Sequence, residues 1–163
     1  MGDDEFWSVL EGLARGDAAS MLALREILEA MPLDQVAEFD ARLHRAMDRA
    51  HVVGVWAAAY VMCGGCSDDG FDAFKAWLVL QGREIYEAAL ARPDSLSSVS
   101  VEYPACEELG GMAASVYEAR SGRQLAGPRF SRPDFGEEWD FGSEAEMRSR
   151  LPELWRRYGH DPL

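Results

Sequence analysis

The sequence predicts an all-α fold: a single helical domain over residues 1–163, of about seven helices, with a long aromatic-containing loop before the last one. Three observations predict it. Apolar residues recur at intervals of three and four along most of the chain, glycine, proline and capping residues punctuate those runs, and no segment alternates apolar and polar residues as a half-buried strand would.

Phe6, Leu10 and Leu13, with Trp7 and Ala14, share one face of a first amphipathic helix closed by Gly16. Met21, Leu24, Ile27, Leu28 and Met31 give a second, stopped by Pro32. Val36, Phe39, Leu43, Ala46 and Met47 mark a third, beginning near Asp34. Arg42, Arg45 and Arg49 run along its other side, a solvated basic stripe answered by Glu38 and Asp48, or else a docking surface. From 52 to 62 the chain is apolar all round, the mark of a helix enclosed by protein.

Phe71, Phe74, Trp77, Leu78, Ile85, Tyr86, Ala89 and Leu90 then define one long fifth helix ending near Arg92-Pro93, with Gly82 marking a close helix crossing. Residues 94–104 form a serine-rich connection. A helix over 105–120 follows, carried by Leu109, Met112, Ala113, Val116 and Tyr117. The periodicity then disappears between 121 and 142, where Gly122, Gly127, Pro128, Pro133, Gly136 and Gly142 accompany Phe130, Phe135, Trp139 and Phe141. Four aromatics need something to pack on, so this loop should wrap the helical body as a lid or strap. Ser143-Glu144-Ala145-Glu146 is a capping box, and Met147, Leu151, Leu154, Trp155 and Tyr158 carry the last helix, kinked or restarted at Pro152.

A chain of 163 residues and 18.1 kDa is long enough to bury a core without disulfides or a structural metal. Its net charge of -13 and pI near 4.6 argue against nucleic acid and anionic membrane surfaces as partners. No apolar run is long enough to span a bilayer, and the acidic start Met1-Gly2-Asp3-Asp4-Glu5 lacks the positive region of a signal peptide. With an odd number of cysteines, these features predict a cytoplasmic protein. Lys75 is the single lysine against many arginines, which reads as base-composition bias.

Cys63 and Cys66 form a C-x-x-C, but a thioredoxin-like motif needs a strand before it, and here the preceding residues are helical in pattern. Zinc would need a fourth ligand beyond Cys106, from His44, His51 or His160, none at a paired spacing. The thiols are therefore read as unliganded. No metal and no cofactor is implied.

The polar hinge Gly64-Gly65-Cys66-Ser67-Asp68-Asp69-Gly70-Phe71 stands between two strongly apolar helical runs. Its mechanical reading is capping: Gly64 and Gly65 end one helix in a left-handed turn, Ser67 caps the next, and Asp68, Asp69 and Asp72 complement the positive helix end. Its functional reading starts from the surplus of carboxylates beside Trp56 and Tyr60, which a spacing of four places on one face. Such a cleft could hold a cationic or hydroxylated small molecule. Vicinal aspartates on a helix point about 100° apart, so a divalent ion there would need Glu107, Glu108, Glu137 or Glu138 to converge on them. The chain has no glycine-rich phosphate loop, no H-E-x-x-H and no G-x-S-x-G.

The hinge with its flank Ala58-Ala59-Tyr60-Val61, followed by Phe74, Trp77-Leu78 and Gly82-Arg83, resembles the bacterial DUF4240 family, a domain of unknown function. Phe6-Trp7, Pro93-Asp94-Ser95-Leu96, Val116-Tyr117 and Trp139-Asp140 also resemble its pattern, so the likeness spans nearly the whole chain. The family pattern usually lacks cysteine at position 63, which weakens the C-x-x-C reading. The resemblance implies no particular activity.

Two functional expectations follow. The first is a binding or accessory domain that recognises a small ligand or a partner protein through Trp56, Tyr60, Cys66, Ser67, Asp68, Asp69 and Arg83. The alternative is a small hydrolase or lyase with Asp68 or Asp69 as general base, Glu107 or Glu108 as its partner and Arg83 as anion anchor. A third, structural reading is homodimerisation through exposed apolar helix faces.

Overall fold

The computed structural model of the chain describes residues 1–126, 135 and 137–159. Helices α1 (Asp3–Leu10), α2 (Ala18–Ala30) and α3 (Leu33–Arg49) follow the apolar periodicities of the first third of the chain. Asp17 caps α2, its carboxylate accepting from Ser20 N at 2.8 Å. α4 (Val53–Cys63) and α5 (Asp68–Leu80) form the centre; every side chain from Ala57 to Ala59 and from Ala73 to Leu80 is buried. α6 (Arg83–Ala91), a 3₁₀ turn (Pro93–Ser98), α7 (Leu109–Ser121), α8 (Glu144–Arg150) and α9 (Pro152–Tyr158) complete the order. No strand occurs among the described residues, so the all-α class holds.

α3 lies against α7 and α5, α2 against α7, and α4 against α9 and the 3₁₀ turn. Their shared core holds Leu24, Leu28, Phe39, Leu43, Phe74 and Leu78, none with measurable exposure. Each such side chain removed from water stabilises the fold by roughly 1.5–3 kcal/mol. Tyr86 is equally buried, and its hydroxyl is satisfied by donating to the Ala46 carbonyl at 2.7 Å.

The element boundaries differ from the sequence expectation in four places. α1 stops at Leu10, where Glu11 turns to extended backbone; Leu13 reaches the core from the turn beyond. The expected long fifth helix is two, because Gly82 sits at φ +88°, a conformation costly for any residue with a Cβ. A Cβ at Gly82 would meet nothing within 4 Å, so this glycine serves the turn and marks no helix crossing. The close approach is at Gly54, where a Cβ would lie 2.9 Å from Pro93 and 3.4 Å from Trp139. In the serine-rich connection, the start forms the 3₁₀ turn, and α7 begins at Leu109, later than expected. Pro152 restarts the last helix as α9. Asp94, far upstream, accepts from Glu153 N at 3.0 Å and Leu154 N at 2.8 Å, capping α9 from another part of the chain.

The basic stripe of α3 is answered across helices and not by Glu38 and Asp48. Arg42 pairs with Asp3 of α1, Arg49 holds Glu87 of α6 with two bonds of 3.1 and 3.2 Å, and Glu38 takes the amino group of Met1. The described part of the aromatic loop does lie on the helical body: Phe135 stacks on His51, Trp139 reaches Gly54, and Phe141 contacts Trp56 and Tyr60. Phe130, Gly127, Pro128, Pro133 and Gly136 of that loop, and His160, lie outside the described residues.

Candidate functional site

The hinge is built as a helix end followed by a helix start. Gly64 closes α4 in the left-handed conformation at φ +69°, and both Gly64 N and Gly65 N donate to the Tyr60 carbonyl. Ser67 caps α5, its Oγ accepting from Gly70 N at 3.2 Å. Trp56 pins the corner: its indole N–H donates to the Cys66 carbonyl at 3.1 Å, and its ring lies parallel to Phe71 with centroids 5.0 Å apart.

On the outer side of Trp56 a cleft of about 610 Å³ opens, lined by Val53, Trp56, Phe135, Trp139 and Phe141 and by the carboxylates of Glu137 and Glu138. Tyr60 stands one turn further along α4, its ring 5.6 Å from Phe141. The end of α8 brings a cation against one of these rings. Arg150 places its guanidinium 4.3 Å from the Trp139 ring centre while pairing with Glu137 at 3.2 Å and Glu146 at 2.9 Å. The Trp139 indole nitrogen is buried without a hydrogen-bond partner among the described residues.

Asp69 and Glu107 both line a second cleft of about 350 Å³, together with Asp72, Ala76, Cys106 and Gly110. Asp68 and Glu108 are not part of its lining. Asp72 is committed to Lys75, whose ammonium lies 2.7 Å away, also 3.1 Å from His51 Nδ1 and 4.9 Å from the Phe71 ring centre. Arg83 is not at the hinge. It lies beyond the far end of α5, about 20 Å away along the helix axis, in a groove with Arg42, Arg45 and Arg49, and it pairs with Asp4 at 2.8 Å.

The Lys75–His51 contact was not foreseen. An ammonium only 4% exposed is stable only when paired and hydrogen-bonded. The available signal was a lone lysine inside the apolar run of α5 in a chain that otherwise uses arginine. His51 lies between α3 and α4 and connects this cluster to the aromatic cleft through its 4.7 Å stack on Phe135.

The three cysteines are free thiols. Burial, then the neighbouring Asp68 carboxylate, pushes the Cys66 thiol up to about 11, and burial pushes Cys63 up to about 12. Neither is a thiolate nucleophile at neutral pH. Among the described residues no group of three or more His, Cys, Asp or Glu side chains is placed to hold a metal ion, and no helix is long and apolar enough to cross a membrane.

Comparison with curated proteins and with solved structures finds no match. The model of the DUF4240 family, described as a protein of unknown function, matches residues 1–119. The match takes in the hinge, Trp56, Tyr60, Arg83 and the 3₁₀ turn, and it ends before the strap, so Trp139-Asp140 lies outside it. Because that region is most of the chain, the protein belongs to the DUF4240 family.

Proposed function

We propose that the protein is a non-catalytic binding domain of the cytosol that takes an ammonium or guanidinium group, carried by a small molecule or a partner protein, in the aromatic cleft beside the hinge. One observation carries this reading: Trp56, Phe135, Trp139 and Phe141 wall a cleft whose lining includes Glu138 and Glu137, the latter shared with Arg150. Aromatic faces attract a cation, and carboxylates at the mouth add to that attraction. The Arg150 guanidinium over Trp139 is an intramolecular example of the same chemistry. Three free thiols support the cytosolic placement.

A cation held among several rings gains roughly 2–4 kcal/mol, so an isolated cation binds only in the millimolar range. The test is an NMR titration with tetramethylammonium and with arginine amide. The expected result is saturable movement of the Trp56 and Trp139 indole signals, weakened in Glu137→Gln/Glu138→Gln and lost in Trp56→Leu. Unmoved indoles with both probes would overturn the reading.

The second reading, a hydrolase or lyase, is favoured by the cleft that Asp69 and Glu107 both line. It has no anion anchor in Arg83, which lies at the far end of α5. Resonances of Asp69 and Glu107 moving in the same titration, with the indoles unmoved, would favour it.

A further inference from the structure

We propose that the groove between α1, α3 and α6 is an oxyanion site, which takes the phosphate or carboxylate group of a small acidic ligand on Arg42, Arg45, Arg49 and Arg83. In a chain of net charge -13, four guanidinium groups converge on one groove of about 340 Å³. Three come from one face of α3, one and two turns apart, and Arg83 is the first residue of α6, set there by the Gly82 turn. Phe6, Trp7 and Ala46 supply an apolar floor. Arginine presents a planar fork that matches phosphate and carboxylate oxygens bidentately.

The groove already holds carboxylates of the chain itself. Asp3 sits on Arg42, Asp4 on Arg83 and Glu87 on Arg49. Two of these are loosely held: the Asp3 side chain is 67% exposed and that of Asp4 96%. Exposed, solvated pairs of this kind add little to stability, so both carboxylates can turn to water at little cost. Arg45 makes no ion pair or hydrogen bond among the described residues. One ligand oxyanion reaching Arg45 together with Arg42 or Arg83 replaces weak solvated pairs by several charge-assisted bonds on a single group. Asp3 and Asp4 thus act as internal competitors for the site. The aromatic cleft takes the opposite charge and plays no part here.

The test is an NMR titration of the arginine Nε–H signals in the full chain, at constant ionic strength set with chloride, using inorganic phosphate in one arm and succinate in the other. Saturable shifts at Arg42, Arg45 and Arg83 are expected, and the tighter arm identifies the ligand as phosphate- or carboxylate-bearing. Arg45→Ala should weaken the better anion about tenfold, the worth of one charge-assisted hydrogen bond. Because Arg45 has no partner to lose among the described residues, its melting temperature should stay unchanged. Asp3→Asn/Asp4→Asn should tighten binding several-fold by removing the competitors. Shifts that chloride reproduces, an Arg45→Ala protein binding as the wild type does, or weaker binding in Asp3→Asn/Asp4→Asn would each overturn the proposal.

Discussion

Replacing Asp94 by alanine should destabilise the protein through a helix that starts almost sixty residues later. The Asp94 side chain is 6% exposed, and its carboxylate accepts from Glu153 N at 3.0 and 3.2 Å and from Leu154 N at 2.8 Å, the first donors of α9 after Pro152, which has none. Loss of an N-cap costs about 0.5–2 kcal/mol, and hydrogen bonds to a charged group are worth about 1.5–3 kcal/mol. With the Leu154 amide buried and no longer satisfied, the two ranges overlap at about 1.5–2 kcal/mol for Asp94→Ala. For a chain of this length, that is a fall in melting temperature of about 3–8 °C. Asp94→Asn keeps an acceptor without the charge and should lose about half as much. Calorimetry gives the melting temperature, and hydrogen exchange at the Glu153 and Leu154 amides reports the cap itself. Unchanged protection of those two amides in Asp94→Ala would refute the reasoning, whatever the melting temperature does.

Two further outcomes follow from titrating groups. Burial favours the neutral His44 ring, but Asp40, whose carboxylate lies 3.3 Å away, and then Asp48 outweigh it, so the His44 pKa stands above its usual 6.5. The folded state therefore binds that proton more tightly than the unfolded chain. The stabilisation is complete below about pH 6.5 and is lost as pH rises through the folded-state pKa. The melting temperature should fall more steeply in wild type than in His44→Gln as pH rises from about 6.5 through the folded-state pKa; equal slopes would contradict the pairing. For Cys66, burial and Asp68 push the thiol up to about 11, so iodoacetamide should alkylate it slowly near neutrality and faster as pH approaches that value. Asp68→Asn should bring that rise to lower pH. A Cys66 as reactive at neutral pH as a free thiol would refute the assignment.

What the sequence reveals of the fold is what is local. Val36, Phe39, Leu43 and Met47 announce α3 because one face of a helix repeats within a few residues, and the aromatic strap is visible because Phe135, Trp139 and Phe141 are out of place in a solvated loop. Gly82 is read for the wrong property. Composition shows that a glycine is present, and only the backbone angle shows that it turns the chain. The 3₁₀ turn is too short to display a period, and Asp94 reads as a polar residue in a serine-rich connection because the amides it caps are distant in sequence. At the hinge, Gly64 and Ser67 are legible since their partners are three or four residues away, whereas grouping Arg83 with the hinge neglects the rise of the intervening helix, which carries it about 20 Å away whether or not the helix breaks at Gly82.

The acidic residues of α5 look alike in sequence and do different work in the fold. Ser67 supplies the cap, so none of the carboxylates is needed for it. Asp72 is taken by Lys75, because an ammonium buried to 4% exposure requires a counter-charge within contact. Asp68 adds to burial in keeping the Cys66 thiol protonated. Asp69 is left on the surface of α5, facing the cleft it shares with Glu107, with no ion pair or hydrogen bond among the described residues. Trp56, meanwhile, ties the hinge backbone to the aromatic cleft by one hydrogen bond and one ring stack. A ligand seated in that cleft therefore bears directly on the Cys66 carbonyl through Trp56, and through Phe135 on His51 and Lys75. The two walls of the cleft thus meet the buried charge of α5 at different points, α4 through Trp56 stacked on Phe71 and the strap through Phe135 stacked on His51.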